Sequence, residues 1–145
     1  MNIIIGNDHA AIDLKYDIIN HLQAKSSVSV TDHVCEGLEY PDYALDICNK
    51  VVSGEYDIGI LLCGTGVGMC MAANKVRSIR AVVCSEPFTA QMARSHNDAN
   101  VLCIGARVIG GGLAKIIVDA FLDEPFAGGR HAGRVAKIME IEKIR

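Results

Sequence analysis

The sequence contains no tryptophan, three prolines and only seven aromatic residues, four Tyr and three Phe. It has no run of basic residues either: 14 Lys and Arg stand against 17 Asp and Glu, a formal net charge of −3. A nucleic-acid binder needs a basic footprint and stacking side chains, so nucleic acid is not an expected partner. No apolar stretch approaches the roughly 20 residues that cross a bilayer, which removes the membrane as a partner. The opening MNIIIGNDHAA has no basic start and only a short apolar run, Ile3 to Ile5, before Gly6. That is the pattern of neither a secretory signal nor a transit peptide, and a cytoplasmic location is expected. CxxC, HxxxH and HExxH spacings are missing, so no metal and no cofactor is expected. The six cysteines (Cys35, Cys48, Cys63, Cys70, Cys84, Cys103) fall largely in apolar periodic segments, which reads as buried reduced thiols and not as a disulfide framework.

What is present is ordinary for a globular chain: 145 residues, 50% hydrophobic and 21% charged, the size of a single domain spanning 1–145. Residues 2 to 5 predict a strand, and Leu14, Ile18, Ile19 and Leu22 share a helical face behind it. The pattern repeats with Val28 and Val30, then Ala44, Ile47, Cys48, Val51 and Val52, and again with the near-continuous run DIGILLC from Asp57 to Cys63, followed by a helix from Met69 to Val76. IRAVVC (Ile79 to Cys84) predicts a fourth strand, with Pro87 at the favoured start of its helix, and Asn100 to Ile104 a fifth, with a helix over Leu113 to Leu122. A last helix is expected from about Arg134 to Ile144, after a loop PFAGGRHAG. Five strand–helix units with short loops predict an α/β fold, a three-layer doubly wound, Rossmann-like sandwich around a five-stranded parallel sheet. In the last helix Val135, Ile138, Met139, Ile141 and Ile144 cover more of the circumference than one sheet face can bury, and either a subunit interface or a frayed terminus accounts for this.

Doubly wound sheets bind ligands at the carboxyl ends of strands whose crossovers leave to opposite faces. Here the rule brings Gly6-Asn7-Asp8-His9 beside Cys63-Gly64-Thr65-Gly66-Val67-Gly68. The backbone N–H groups of GTGVG can converge on an anion, although the same glycines would serve a tight turn without a ligand. Cys63, at a strand end before a helix, sits where a thiolate is favoured and is a candidate base or nucleophile, against the plain alternative of an inert core thiol. A cysteine phosphatase would need Arg six residues on, where Met69 stands. His96 ends the fourth helix, as a helix-terminal cation or a catalyst. Arg107, Arg130 and Arg134 lie in glycine-rich surroundings from which guanidiniums can reach a phosphate. His21 and His33 read as surface residues.

The segments GNDH (6 to 9), YPDYA (40 to 44), CGTGVG (63 to 68), AANK (72 to 75), RAVVCSEP (80 to 87), HNDANV (96 to 101) and GGRH (128 to 131) together resemble the type B ribose-5-phosphate isomerases, within a family that includes the galactose-6-phosphate isomerase subunits. The resemblance implies interconversion of ribose 5-phosphate and ribulose 5-phosphate through an enediolate, without a metal, in the pentose phosphate pathway. It implies Cys63 as the proton-transfer residue, since the glutamate of another branch is replaced by Met69. It implies an anion hole along Gly64, Gly66, Val67 and Gly68 with Thr65 lining it, His96 as the ring-opening acid/base, and Asp8 and Asn97 holding the sugar. His9, Arg107, Arg130 and Arg134 correspond to phosphate ligands and Tyr43 to a pocket wall. A homodimer or tetramer of dimers with a shared active site is implied, with a sugar phosphate as the small-molecule partner. The stretch from Ser26 to Glu39 departs from the family pattern, with Asp32-His33-Val34 where Asp-x-Gly is usual.

Two alternatives stand beside this. One is an isomerase of a six-carbon sugar phosphate, allose or galactose 6-phosphate. The other is a non-catalytic nucleotide-binding module, because Glu86 follows Gly64 at near the spacing of a ribose-binding acid, though Met69 occupies the place of the third glycine.

Overall fold

Runs of branched aliphatics make the sheet, and burial on both faces explains why they are unbroken. Every residue of β3 (Ile58–Cys63) and β5 (Val101–Gly105) is buried, and all but the first of β1 (Asn2–Asn7). β2 (Ser29–Asp32) and β4 (Ala81–Val83) form the two edges and are more exposed. The computed structural model describes residues 1–34, 37 and 39–144. Of the cysteines, Cys35 lies outside these; Cys48, Cys63, Cys84 and Cys103 are buried free thiols and Cys70 is half-buried.

All strand pairings are parallel, as the five-unit pattern predicts, and the strands lie in the order β2-β1-β3-β5-β4. Helices α1 (Ile12–Gln23), α4 (Pro87–Asn97) and α5 (Gly111–Leu122) cover one face, where Ile18, Ile60, Leu102, Ile117 and Phe121 belong to one core. Helices α2 (Tyr40–Val52) and α3 (Val67–Ala73) cover the other, over Ile4, Ile47, Leu61, Met69 and Val101. β1 and β5 therefore send their chains to one face while β3, lying between them, sends its chain to the opposite one. This arrangement opens a crevice at the carboxyl end of β3.

The final helix α6 (Arg130–Ile141), followed by a 3₁₀ turn over Glu142–Ile144, begins at Arg130 and not near Arg134. Gly128 and Gly129 take positive φ values of 62° and 52° and turn the chain before it, and His131 is buried by tertiary contact. Neither effect leaves an apolar period in the sequence, which is why the first turn reads as loop. The histidines read as surface are both engaged: His33 Nε2 lies 2.8 Å from Asp46 Oδ2 with a side chain only 12% exposed, and His21 Nε2 lies 2.8 Å from Asp119 Oδ1.

Asp119 also meets Lys25 Nζ at 2.6 Å, fastening the end of α1 to α5. Burial alone would raise the Asp119 carboxyl, but its hydrogen bonds to Lys25 and His21 and their charges outweigh this and hold it below the usual aspartate value. A lowered folded-state value contributes stability above the unfolded pKa, which is lost as pH falls through the folded one. Asp119→Asn should therefore cost no more than about 1 kcal/mol at neutral pH, the scale of a partly exposed ion pair. The gap from the parent should close as pH drops below about 3.9. Urea midpoints at pH 7 and pH 3 check this, and a gap unchanged at pH 3 would dissociate the stabilisation from the Asp119 charge.

Candidate active site

At the end of β3 the chain turns through Gly64-Thr65-Gly66 into α3. Gly66 adopts φ +77°, and a Cβ there would lie 2.9 Å from Val83 Cγ2 and 3.0 Å from the Ile104 carbonyl carbon. From the other side, a Cβ on Gly105 would fall 2.6 Å from the Thr65 carbonyl carbon. Two glycines thus let the turn press onto the end of β5. In that turn the Gly66 N–H donates to Cys63 Sγ at 3.1 Å, and the Val67 N–H donates to Thr65 Oγ1 at 3.3 Å. The segment after β5 is held alongside by Ala106 N–H to Cys63 O (2.9 Å) and Arg107 N–H to Gly64 O (3.0 Å), which sets the Arg107 guanidinium next to Gly64.

The neighbouring strand β1 delivers the second segment. The Asp8 N–H donates to Leu62 O at 3.0 Å, so Asp8 stands beside the last residues of β3. Its Oδ1 accepts from the Ala10 N–H at 2.8 Å, fixing the turn that leaves His9 exposed. Asp8, His9, Lys15, Tyr40 and Tyr43 line a cleft of about 730 Å³. Tyr40 joins this cleft to the glycine turn, since a Cβ on Gly68 would sit 2.9 Å from its ring.

The thiols differ sharply in character. Burial pushes Cys48 and Cys84 up to about 12 and Cys103 well above the ordinary value, so these three are protonated core residues. Cys70 is drawn down, first by its hydrogen bond with Cys103, against burial, and then by the Val83 backbone and the Asn74 amide. Met69 is fully buried in the core beneath the turn.

His96 and Asn97 lie elsewhere. They end α4, where Arg80 Nε donates to Asn97 O (3.1 Å) and Asp98 O (2.8 Å) and the Asn100 N–H donates to Arg80 O (3.1 Å). Arg80 and Asn100 immediately precede β4 and β5, so this is the amino edge of the sheet. The start of α6 is bound to the same place through Ala127 N–H to Ser95 O at 2.9 Å. His131 stacks on His96 with ring centroids 4.1 Å apart and planes 4° from parallel. Arg130 and Arg134 project from this turn, exposed.

The expected site residues therefore form two sets. Asp8, His9, Tyr43, Cys63, Gly64, Thr65, Gly66, Val67, Gly68 and Arg107 gather at the carboxyl edge, and His96, Asn97, Arg130 and Arg134 at the amino edge. The five residues of β5 separate them, roughly 13 Å at about 3.3 Å per residue. A single chain does not bring the two sets together. Among the described residues no three His, Cys, Asp or Glu side chains are grouped to hold a metal ion, and no helix is long and apolar enough to cross a membrane.

Sequence reasoning passed over Lys15, Tyr40 and His131. Lys15 is 5% exposed, with Nζ 2.7 Å from Asp32 Oδ1. A lysine between Leu14 and Ile18 on the apolar stripe of α1 was the signal for it. Glu86, the acid behind the nucleotide-binding alternative, caps α4 instead: its carboxylate accepts from the Thr89 and Phe88 N–H groups at 2.7 Å each, and the hydrogen bond with the Thr89 side chain first, then these two, hold it below the usual glutamate range.

Comparison with known proteins agrees over the full length. The model of a family described as Ribose/Galactose Isomerase matches residues 3–138. Ribose-5-phosphate isomerase B of Escherichia coli (strain K12) is 51% identical, covering 99% of this chain and 97% of that protein. The solved ribose-5-phosphate isomerase B of Clostridium thermocellum superposes with a TM-score of 0.93 at 49% identity, over 99% of this chain and 98% of that one. The enzyme of Mycoplasma genitalium, solved with bound ribulose-5-phosphate, gives 0.88 at 42% identity, over 98% and 96%.

Gly66→Ala forces a side chain into a positive-φ position already filled by Val83 and the β5 backbone. It should destabilise the fold by roughly 1–3 kcal/mol. By moving the N–H that faces Cys63 Sγ, it should also slow iodoacetamide labelling of Cys63 relative to Cys70, read by peptide mass. Unaltered relative labelling would mean that the Gly66 N–H does not govern the Cys63 thiol.

Proposed function

The chain belongs to the ribose/galactose isomerase family, and from that premise we infer that it is a sugar-phosphate isomerase that interconverts ribose 5-phosphate and ribulose 5-phosphate. The observation that carries this is the whole-chain match to ribose-5-phosphate isomerase B, at 51% identity with 99% of the chain covered. Neither the six-carbon alternative nor the nucleotide-binding module is favoured. On this reading residues 1–145 act as one isomerase domain, in the cytoplasm.

The proposed chemistry assigns a step to each edge of the sheet. At the amino edge His96 opens the furanose: the C1–O4 bond breaks, the ring oxygen gains a proton and the C1 hydroxyl loses one, leaving the aldehyde. At the carboxyl edge the Cys63 thiolate removes the proton on C2, and the electron pair forms a C1=C2 enediolate whose negative oxygen lies against the backbone of Gly64 to Gly68. Return of that proton to C1, with transfer of the C2 hydroxyl proton to the first oxygen, completes the ketose. The Gly66 N–H, 3.1 Å from Cys63 Sγ, holds the sulfur against the turn that would face the enediolate. Asp8 and Asn97 hold the sugar, Thr65 lines the pocket, Tyr43 forms part of its wall, and His9, Arg107, Arg130 and Arg134 take the phosphate.

Both edges act on one substrate molecule only if the amino edge of one copy meets the carboxyl edge of another. We therefore assign the enzyme a shared site in a homodimer, or in a tetramer of dimers. The exposed aliphatics of α6 and the turn after it, Ile138 at 45%, Ile141 at 54% and Ile144 at 84%, support an interface there.

Cys63→Ser should fold and bind sugar phosphate normally while turnover falls by several orders of magnitude, because a hydroxyl is far too weak an acid to supply the base. Coupled-assay rates alongside binding isotherms decide it, and near-wild-type turnover in the folded variant would remove Cys63 from this role. In a Cys70→Ser background, alkylation should inactivate the enzyme and ribose 5-phosphate should protect it.

Ile138→Asp would bury a carboxylate in the assembled interface. Sedimentation should find a monomer with little activity, although no residue assigned to the chemistry is altered. A fully active monomer would refute the shared site.

A further inference from the structure

At the amino edge the imidazoles of His96 and His131 are stacked. His131 is the only residue of α6 that is buried, and its ring lies flat on that of His96, 4.1 Å between centroids and 4° between planes. The backbone is built to put it there. Gly128 and Gly129 take successive positive φ values, with open space around both, so glycine is present for the turn and not for lack of room. The His131 N–H closes that turn onto Gly128 O at 3.0 Å, and the preceding Ala127 N–H is bonded to Ser95 O, one residue before His96.

The two rings are not equivalent. His96 lies in the last turn of α4, at the negative end of a helix dipole, and His131 is the second residue of α6, at a positive end. Arg130 Nε donates to His131 Nε2 at 3.4 Å, which makes that nitrogen an acceptor and places the ring proton on Nδ1. Burial, followed by the charges of His96, Arg130 and Arg134, holds His131 below the ordinary imidazole value. His131 is thus a neutral flat surface. It can lie against His96 whether or not His96 carries a proton, whereas two imidazolium rings at this separation would repel.

We propose that His131 is a positioning residue that locks the ring plane of His96, so that the nitrogen facing the sugar stays the same one through a cycle of proton gain and loss. The proposal rests on the ring-opening role given to His96. A group that both gives and takes a proton must present one nitrogen throughout, and rotation about the Cβ–Cγ bond would exchange Nδ1 for Nε2. A parallel ring at van der Waals distance blocks that rotation. The rival assignment, a phosphate ligand alongside Arg130 and Arg134, is less consistent with a buried neutral ring whose face is covered and whose Nε2 already accepts from Arg130.

The test is a double-mutant cycle on turnover of ribose 5-phosphate, with His96→Ala, His131→Ala and the double variant, and with His131→Phe as the conservative replacement. Misplacing a reacting group by about 1 Å costs up to about a hundredfold, so His131→Ala should lower kcat by roughly ten- to a hundredfold. Its affinity for inorganic phosphate should stay within about twofold of the parent. If His131 acts through His96, the double variant will be no slower than His96→Ala alone, and His131→Phe, which keeps a flat ring, will recover most of the loss. Costs that multiply in the double variant, a matching loss of phosphate affinity, a Phe variant no better than Ala, or undiminished turnover in His131→Ala would each overturn the proposal. Full turnover in His96→Ala would also overturn it, and would locate the fault in the role given to His96. Should His131→Ala lose its native melting transition, His131→Leu, of similar bulk but without a flat face, takes its place in the cycle.

Discussion

The contact on which the molecule depends most is the one between the turn after β3 and the end of β5. Gly105 lies so close to the Thr65 carbonyl that no side chain fits between them. That approach fixes the height of Gly66, and through it the N–H aimed at Cys63 Sγ. It exists because β3 and β5 are hydrogen-bonded neighbours while their following chains leave to opposite faces. The strand order makes the crevice, and the two glycines let its walls close to bonding distance. A side chain at either position would part β5 from the turn, and every group that the turn carries would move with it.

Much of this was legible in the sequence, for a physical reason. Unbroken aliphatic runs such as Ile58–Cys63 belong to strands covered on both faces, and glycines directly after such a run mark a turn at the carboxyl edge, so the pairing of GNDH with CGTGVG followed from topology before any motif was weighed. What escaped notice depended on contacts between distant segments. His33 is a surface residue by its neighbours in the chain and becomes a half-buried partner of Asp46 only when the residue after β2 meets α2 in the folded chain. The first turn of α6 has no apolar period because a single histidine anchors it.

The division of the expected site residues between two edges was available in principle. A helix that follows a parallel strand runs back the way the strand came, so a residue at a helix end, such as His96, stands about one strand length from a residue at a strand end, such as Cys63. Collecting polar residues by type hides this, and placing each at the start or finish of its element reveals it. The family likeness, which spans nearly the whole chain, explains why both sets are present in one polypeptide although that polypeptide does not join them.

In the proposed assembly, the arrangement of the edges has a genetic meaning. Each polypeptide contributes its thiol to one site and its imidazole to the other, so a lesion at the carboxyl edge and a lesion at the amino edge, carried on different alleles, meet in mixed dimers. There one site collects both defects and the other has neither. Two inactive proteins can complement each other in this way, whereas two lesions at the same edge cannot. The unit on which selection acts is then the pair of chains and not the single polypeptide.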